Sequence, residues 1–384
     1  MLSIQYTQMS RPRIRSFALA ALAAVITTMG AGLTLTVECA ERQLPNSQHG
    51  LPFPTPARGV NYYDLFARQL RPGAAVGVPP RFHWLASHGV AFVRCSAGGY
   101  WPAEWGLYQT NRAEHWRRLD AVVRAAETNH LGLVPSLFWL SSTIPDLVGE
   151  PVSALGDTNS KTMAFIRGYT RAVVSRYRDS SAIWMWELGN EYNLGADLPN
   201  AADHRPTIVP TLGTPSIRSA RDDLSHAMVR TVLAEFAREV RRLDPRHAIT
   251  SGHAFPRPSA WHQEREHSWK ADTEEQFVAM LAADHPDPVN VISLRLYNDD
   301  DARRIDWAIR ASRRLGKPLF IGEFGVPGGD TPGNREKFHR WLELVRSSDV
   351  ALAALWVFDF DAQDRDWNVT PQNNRSWQLD ALFR

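Results

Sequence analysis

"AIWMWELGN", residues 182–190, is an apolar run of strand length that closes on an acid, a glycine and an amide, and "EYNL" follows it directly. In an extended chain alternate side chains face opposite ways, so Glu187, Gly189 and Glu191 share one face while Trp186, Leu188 and Asn190 share the other. A carboxylate among tryptophans loses hydration, which is costly unless it is paired or hydrogen-bonded. Glu187, the deeper acid, therefore reads as part of an interior network, with Arg94 as its partner. Glu191 lies at the strand's end, where strict alternation is expected to fail and both Asn190 and Glu191 turn toward the mouth of the fold.

Seven further runs have the same character: "GVNYY" near 60, "VAFVRC" near 92, "LGLVPSLFW" near 135, "AITSGH" near 250, "VNVISLRLY" near 293, "KPLFIGEFG" near 321 and "ALAALWVFDF" near 355. Between them lie segments such as "AEHWRRLDAVVRAAETNH", "DLSHAMVRTVLAEFAREVRRLD" and "DARRIDWAIRASRRLG", with apolar residues at three- and four-residue spacing and charges opposite. Strands separated by single helices imply a parallel sheet covered on both faces. Eight such units predict an α/β fold, a closed (β/α)8 TIM barrel with long loops on the C-terminal face, where barrel sites are built; an open doubly wound sheet is the alternative. The shortest helical segment is "PPRFHWLASHG". Residues 195–221 lack a helical period before a helix expected near Asp222, and "AFPRPSAWHQEREHSWKADT" follows the fifth strand on the same face. Loops of such length are often functional.

The chain has 384 residues, 44% hydrophobic and 22% charged, enough to build a large core. A net charge of +2 argues against nucleic acid as a partner, and 14 tryptophans suit flat apolar faces such as those of sugars. At the N-terminus Arg11, Arg13 and Arg15 precede "FALAALAAVITTMGAGLTLTV", the layout of a secretory leader or, at this length, of an uncleaved anchor. Residues 1–40 are read as that leader or anchor, 41–58 as a polar, proline-rich arm, and 59–384 as one monomeric domain, secreted or periplasmic, with no membrane contact once the leader is removed. The two cysteines, Cys39 and Cys95, leave no disulfide if the leader is lost, and no cofactor or metal is called for.

The seventh strand repeats the fourth: "LFIGEFG" ends on Glu323 between glycines. Two rim acids on separate strands of one barrel can serve one cavity, and glycosidic cleavage needs such a pair, one to protonate the departing oxygen and one to attack or activate water. "NE" on strand four, "GEFG" on strand seven, "VRCS" on strand two and "LWVFDF" on strand eight together resemble the cellulase-like glycoside hydrolase family 5, over nearly the whole chain after Gly59. The resemblance implies retaining cleavage of a β-linked carbohydrate, gluco- or manno-configured, with Glu191 as general acid and base and Glu323 as nucleophile. It implies that Asn190 bonds the sugar 2-hydroxyl, that Arg94 and Tyr297 hold the nucleophile, and that Trp356 is a sugar platform. Trp101, Trp105, Trp139 and Trp261 are candidates for further sugar contacts or for packing. The chain departs from the family pattern twice: Arg295 stands where a histidine is usual, and the histidine ending strand three is replaced by the region of Phe138 and Trp139. His253, after strand five, is a candidate to restore a polar contact. Two other readings compete, a sugar-binding barrel without activity and a metal-dependent hydrolase using His253, His262 and His267 with Glu264 and Glu266.

Overall fold

A computed structural model describes residues 50–71, 81–347 and 349–383. The expected leader, and the arm up to residue 49, lie outside the described residues. Among the described residues eight strands form: β1 Ala57–Asn61, β2 Phe92–Ser96, β3 Gly132–Phe138, β4 Met185–Gly189, β5 Ala248–Thr250, β6 Ile292–Leu296, β7 Leu319–Phe324 and β8 Val350–Leu355. All paired strands are parallel, in the order β5-β4-β3-β2-β1-β8-β7-β6. The circle closes between β5 and β6 through one bridge, Thr250 with Val291, and through Asn290 and Val291 N–H groups that both donate to Ile249 O. This is the (β/α)8 barrel that eight apolar runs alternating with helices imply, not the open sheet.

Each strand sorts its side chains by parity. Trp186 and Leu188 face outward into the main core with the helices, whereas Met185 packs inside with Ala57, Phe92, Val134, Ala248, Val291, Phe320 and Ala351. These residues lie at or near the strand starts, so the lower barrel is an apolar plug. Two to four residues further along β1 to β7 the interior turns polar: Asn61, Arg94, Ser136, Glu187, Thr250, Ser293, Arg295 and Glu323 are all buried.

The described part of the arm packs against the barrel. Leu51 and Phe53 are buried in the plug, and the Phe53 ring stacks on Trp184 at 4.8 Å. Packing against the barrel thus reaches back at least to Leu51, upstream of the Gly59 start read from the sequence, because two apolar residues spaced among prolines find the open bottom of the barrel. Among the described residues, no helix is long and apolar enough to cross a membrane.

The long segment after β4 is a series of 3-10 turns, Tyr192–Gly195, Ala201–His204, Pro210–Leu212 and Ala220–Asp222, and the helix begins at His226 rather than near Asp222. Ser219 and Asp222 cap one another in a closed turn, and Ser225 then caps the helix by accepting from Met228 N–H, which moves the start downstream. Arg218, nearly enclosed, ties this segment to the barrel: it donates to both oxygens of Asp146 at 2.6 and 2.8 Å and lies 3.6 Å from Asp222. After β5 come two helices, Ala260–Glu266 and Glu274–Ala283, the second capped by a reciprocal Thr273–Gln276 box.

Candidate active site

The rim of the barrel is organised by two buried guanidinium groups. Arg94, from β2, donates through Nε to both Glu187 oxygens at 2.9 and 3.0 Å, through Nη1 to Asn61 Oδ1 and Glu323 Oε1, both at 2.8 Å, and through Nη2 to Asn190 Oδ1 at 2.7 Å. One side chain thus collects β1, β2, β4 and β7. Glu187 is spent on this pairing, as its depth in the strand suggested. The cost of enclosing these charges is offset because nearly every lone pair and N–H finds a partner. Burial lowers the Arg94 pKa, but the two glutamates outweigh it and the net shift is upward, so the guanidinium stays charged.

Glu323 is 3% exposed and is held from three sides. Its Oε1 meets Arg94 and lies 3.1 Å from Arg295 Nε, while Oε2 accepts from the Tyr297 hydroxyl at 2.7 Å. Burial first, then the adjacent Glu323, raises the Tyr297 pKa well above its usual value, so its phenol is kept as a proton donor.

Glu191 stands in a different setting. It is half-buried at the rim and its backbone is left-handed, φ 55° and ψ 28°, which costs a residue with a Cβ and is typical of functional positions. Its N–H donates to Gly252 O at 2.9 Å, and the Asn190 N–H donates to Trp139 O at 3.0 Å. Gly252 itself has φ +77°, and a Cβ there would stand 1.9 Å from Gly189 O, so the turn after β5 can approach β4 only as glycine. This approach twists the end of β4 and lets Asn190 join Glu187 on the interior side. Burial, and next the Glu323 charge, push the Glu191 carboxyl up to about 7, with Arg295 and Arg94 pulling the other way. One carboxyl is thereby poised to give a proton near neutrality, while the other is gripped by two cations.

An aromatic wall flanks the acids. Trp139 covers the Arg94 guanidinium at 4.5 Å, packs against Tyr63 at 4.5 Å and lies nearly parallel to Trp356 at 6.2 Å. Trp356 follows β8 directly and its indole N–H donates to Gln363 at 2.9 Å, which fixes the ring. Tyr100, Phe360 and Trp367 are partly exposed beside this cluster. Trp139 occupies the strand-three end where the resemblance expects a histidine, and it contributes a cation–π contact in place of a polar one.

Of the sequence-derived candidates, Arg94, Asn190, Glu323 and Tyr297 share one hydrogen-bonded network, Glu191 adjoins it through backbone and charge, and Trp356 lies alongside. His253 does not join the cleft. It is 1% exposed, neither ring nitrogen has a hydrogen-bond partner among the described residues, and its ring lies 5.5 Å from His285, because Gly252 turns the chain inward at this point. Trp105 is fully buried packing, whereas Trp101 and Trp261 are partly exposed. The residues of the metal reading disperse: His262 pairs with Asp272 at 2.7 Å, Glu264 with Arg230 at 2.8 Å, and His253 sits beside His285. Sequence reasoning passed over Asn61, a lone amide in an apolar strand, and the scale of the role of Arg295, whose signal was a charge inside "ISLRLY".

The sequence pattern of the cellulase family, glycosyl hydrolase family 5, matches residues 83–361. A probable mannan endo-1,4-β-mannosidase F of Aspergillus flavus is 26% identical over 258 residues, 63% of this chain and 48% of that protein. The chain thus spans about half the length of the curated relatives it matches first. Among solved structures, the hyperthermostable endo-1,4-β-D-mannanase of Thermotoga petrophila superposes with a TM-score of 0.59 at 13% identity, covering 85% of this chain and 99% of that one. An endo-1,4-β-mannanase from Rhizomucor miehei gives 0.57 at 15%, covering 88% and 98%. At these identities the likeness is one of fold.

Proposed function

Because the chain belongs to the cellulase family, glycosyl hydrolase family 5, we propose that it hydrolyses β-glycosidic bonds of a manno-configured glycan by a retaining double displacement. The observation that carries this reading is the contrast between its two rim acids: Glu191 is raised to about 7 by burial and by Glu323, while Glu323 is ion-paired to Arg94 and Arg295 and bonded by Tyr297. In the first step Glu191 protonates the leaving oxygen while Glu323 attacks the anomeric carbon and forms a glycosyl ester. As the leaving group departs Glu191 becomes a carboxylate, takes a proton from water, and the hydroxide displaces Glu323 from the sugar. The retaining geometry calls for carboxyl groups about 5–5.5 Å apart. Asn190 contacts the 2-hydroxyl, and Trp356, 9% exposed within its aromatic cluster, offers the sugar the small part of its ring left to solvent.

The manno configuration is supported by the mannan-acting names of the relatives that match. An N-terminal export leader remains part of this reading, on the strength of the arginine-then-apolar pattern before residue 40. The test is hydrolysis of manno-, gluco- and xylo-configured β-glycans, with product analysis, by the native protein and by Glu323→Gln. Cleavage of mannan that the variant abolishes while staying folded is expected. Sugar binding without cleavage by the native protein would overturn hydrolysis in favour of a binding barrel, and wild-type turnover by Glu323→Gln would overturn the nucleophile.

A further inference from the structure

Arg295 is 2% exposed inside the barrel and makes more contacts than a spacer needs. Its Nη2 donates to Asn190 Oδ1 at 2.9 Å and to Gly252 O at 2.8 Å, and its Nη1 donates to Ser293 Oγ at 2.9 Å and Leu294 O at 3.1 Å. Its Nε lies 3.1 Å from Glu323 Oε1. Gly322 makes room for it, since a Cβ at that position would stand 2.1 Å from Nη1. Burial first, and the nearby Arg94 next, lower the Arg295 pKa, and the surrounding glutamates act against that.

We propose that Arg295 is a positioning residue that fixes the polarity of the Asn190 amide and so turns Asn190 into a donor-only contact for a sugar hydroxyl. This rests on the glycosidase reading. Asn190 Oδ1 receives Arg94 Nη2 at 2.7 Å and Arg295 Nη2 at 2.9 Å, one guanidinium N–H for each lone pair. A flipped amide would set N–H groups against N–H groups, so the oxygen is held inward and the NH2 is what remains for a ligand. With Arg94 alone, one lone pair would be free and the amide could present either end at lower cost. The same guanidinium is ion-paired with Glu323 Oε1 without a directed hydrogen bond from Nε, so the group that contacts the hydroxyl next to the anomeric carbon and the group that attacks that carbon share one cation. For a manno-configured substrate the hydroxyl in question is the one that distinguishes it from the gluco epimer.

The experiment pairs two variants, Arg295→Met, which removes the fork at similar volume, and Arg295→Lys, which keeps the charge but not the fork. Both are assayed against an activated aryl β-mannoside and its 2-deoxy analogue. In the native protein, loss of the 2-hydroxyl is expected to lower kcat/KM about 100-fold or more, the usual effect of deleting one preorganised transition-state hydrogen bond. In either variant the same deletion is expected to lower it about tenfold or less, with kcat for the parent substrate down at least about tenfold and KM within about threefold. An unchanged 2-deoxy penalty in the variants would overturn the proposal, whatever happened to their melting temperatures. If Arg295→Met does not fold, Arg295→Lys decides by the same ratio. If the native protein cleaves no glycoside, hydrolysis itself fails, and the positioning role is then read from the Asn190 side-chain amide in nitrogen-15 NMR, assigned by its loss in Asn190→Asp. A sharp native NH2 pair that broadens or doubles in Arg295→Lys supports the role, and an unaltered pair rejects it.

Discussion

Replacing His253 by phenylalanine should remove a measurable part of the protein's sensitivity to acid. His253 and His285 are both buried, and burial chiefly drives them down to about 3 and about 4. The structure explains why His285 stays neutral: its Nδ1 side faces Leu281 O at 2.9 Å, and its Nε2 must accept from Ser293 N–H at 3.3 Å, so a second ring proton has no place. A histidine with a depressed folded pKa favours the unfolded chain once that chain takes up a proton, so stability is full above the unfolded value and falls as pH drops below it. With an unfolded value of ~6.5, each such histidine costs ~2 kcal/mol at pH 5 relative to pH 7.5. The native curve alone is not diagnostic, because Glu191, raised to about 7, and Asp301, raised to about 6, act in the opposite sense and gain stability on acidification. The assay is therefore a double difference: urea unfolding of native protein and His253→Phe at both pH values. The variant's stability relative to native should rise by ~2 kcal/mol between pH 7.5 and pH 5. A change below ~0.5 kcal/mol would refute the argument that His253 is enclosed and neutral.

Glu191→Gln should remove the alkaline limb near pH 7 from the kcat/KM profile, and should slow substrates with poor leaving groups far more than an activated aryl glycoside, whose departure needs no proton. Equal losses on both substrates would point to another acid. Arg218→Ala leaves Asp146 and Asp222 enclosed without their cation, and should cost ~3–5 kcal/mol with faster proteolysis within residues 196–225; an unchanged urea midpoint counts against that tie. Phe53→Ala, which empties the stack on Trp184, should cost ~3–5 kcal/mol while kcat holds, and a drop in kcat at full stability would contradict the separation of plug from cleft.

The fold was legible because buried parallel strands leave a plain trace: eight apolar runs, two of them ending in an acid with a glycine close by. Parity alone placed Glu187 inside with Arg94 and Trp186 outside. It could not place Asn190, because the backbone turn at Glu191 is set by Gly252, which reaches β4 only in three dimensions. His253 was misjudged for the same reason, since a histidine after a strand looks loop-borne until that turn is seen to carry it inward. The start of the helix at His226 was displaced by a cap competition between Ser219 and Ser225 that propensity does not resolve. Helix Glu274–Ala283 did carry a readable sign, the Thr273–Gln276 box. Arg295 was visible as an irregularity, but its partners come from three other strands, and no spacing within "ISLRLY" names them.

The seam between β5 and β6 gives Arg295 a mechanical meaning as well. The seam is paired only at its lower end, through the Thr250–Val291 bridge and the bonds around Ile249, and a thinly paired margin is where a barrel first parts. Arg295 projects from β6 and holds the Gly252 carbonyl just past β5, so a side chain supplies the lateral bond that the missing ladder does not. The rivet sits at the rim beside Asn190 and Glu323, and any parting of the seam would therefore release the grip on these two residues before it reached the apolar plug below.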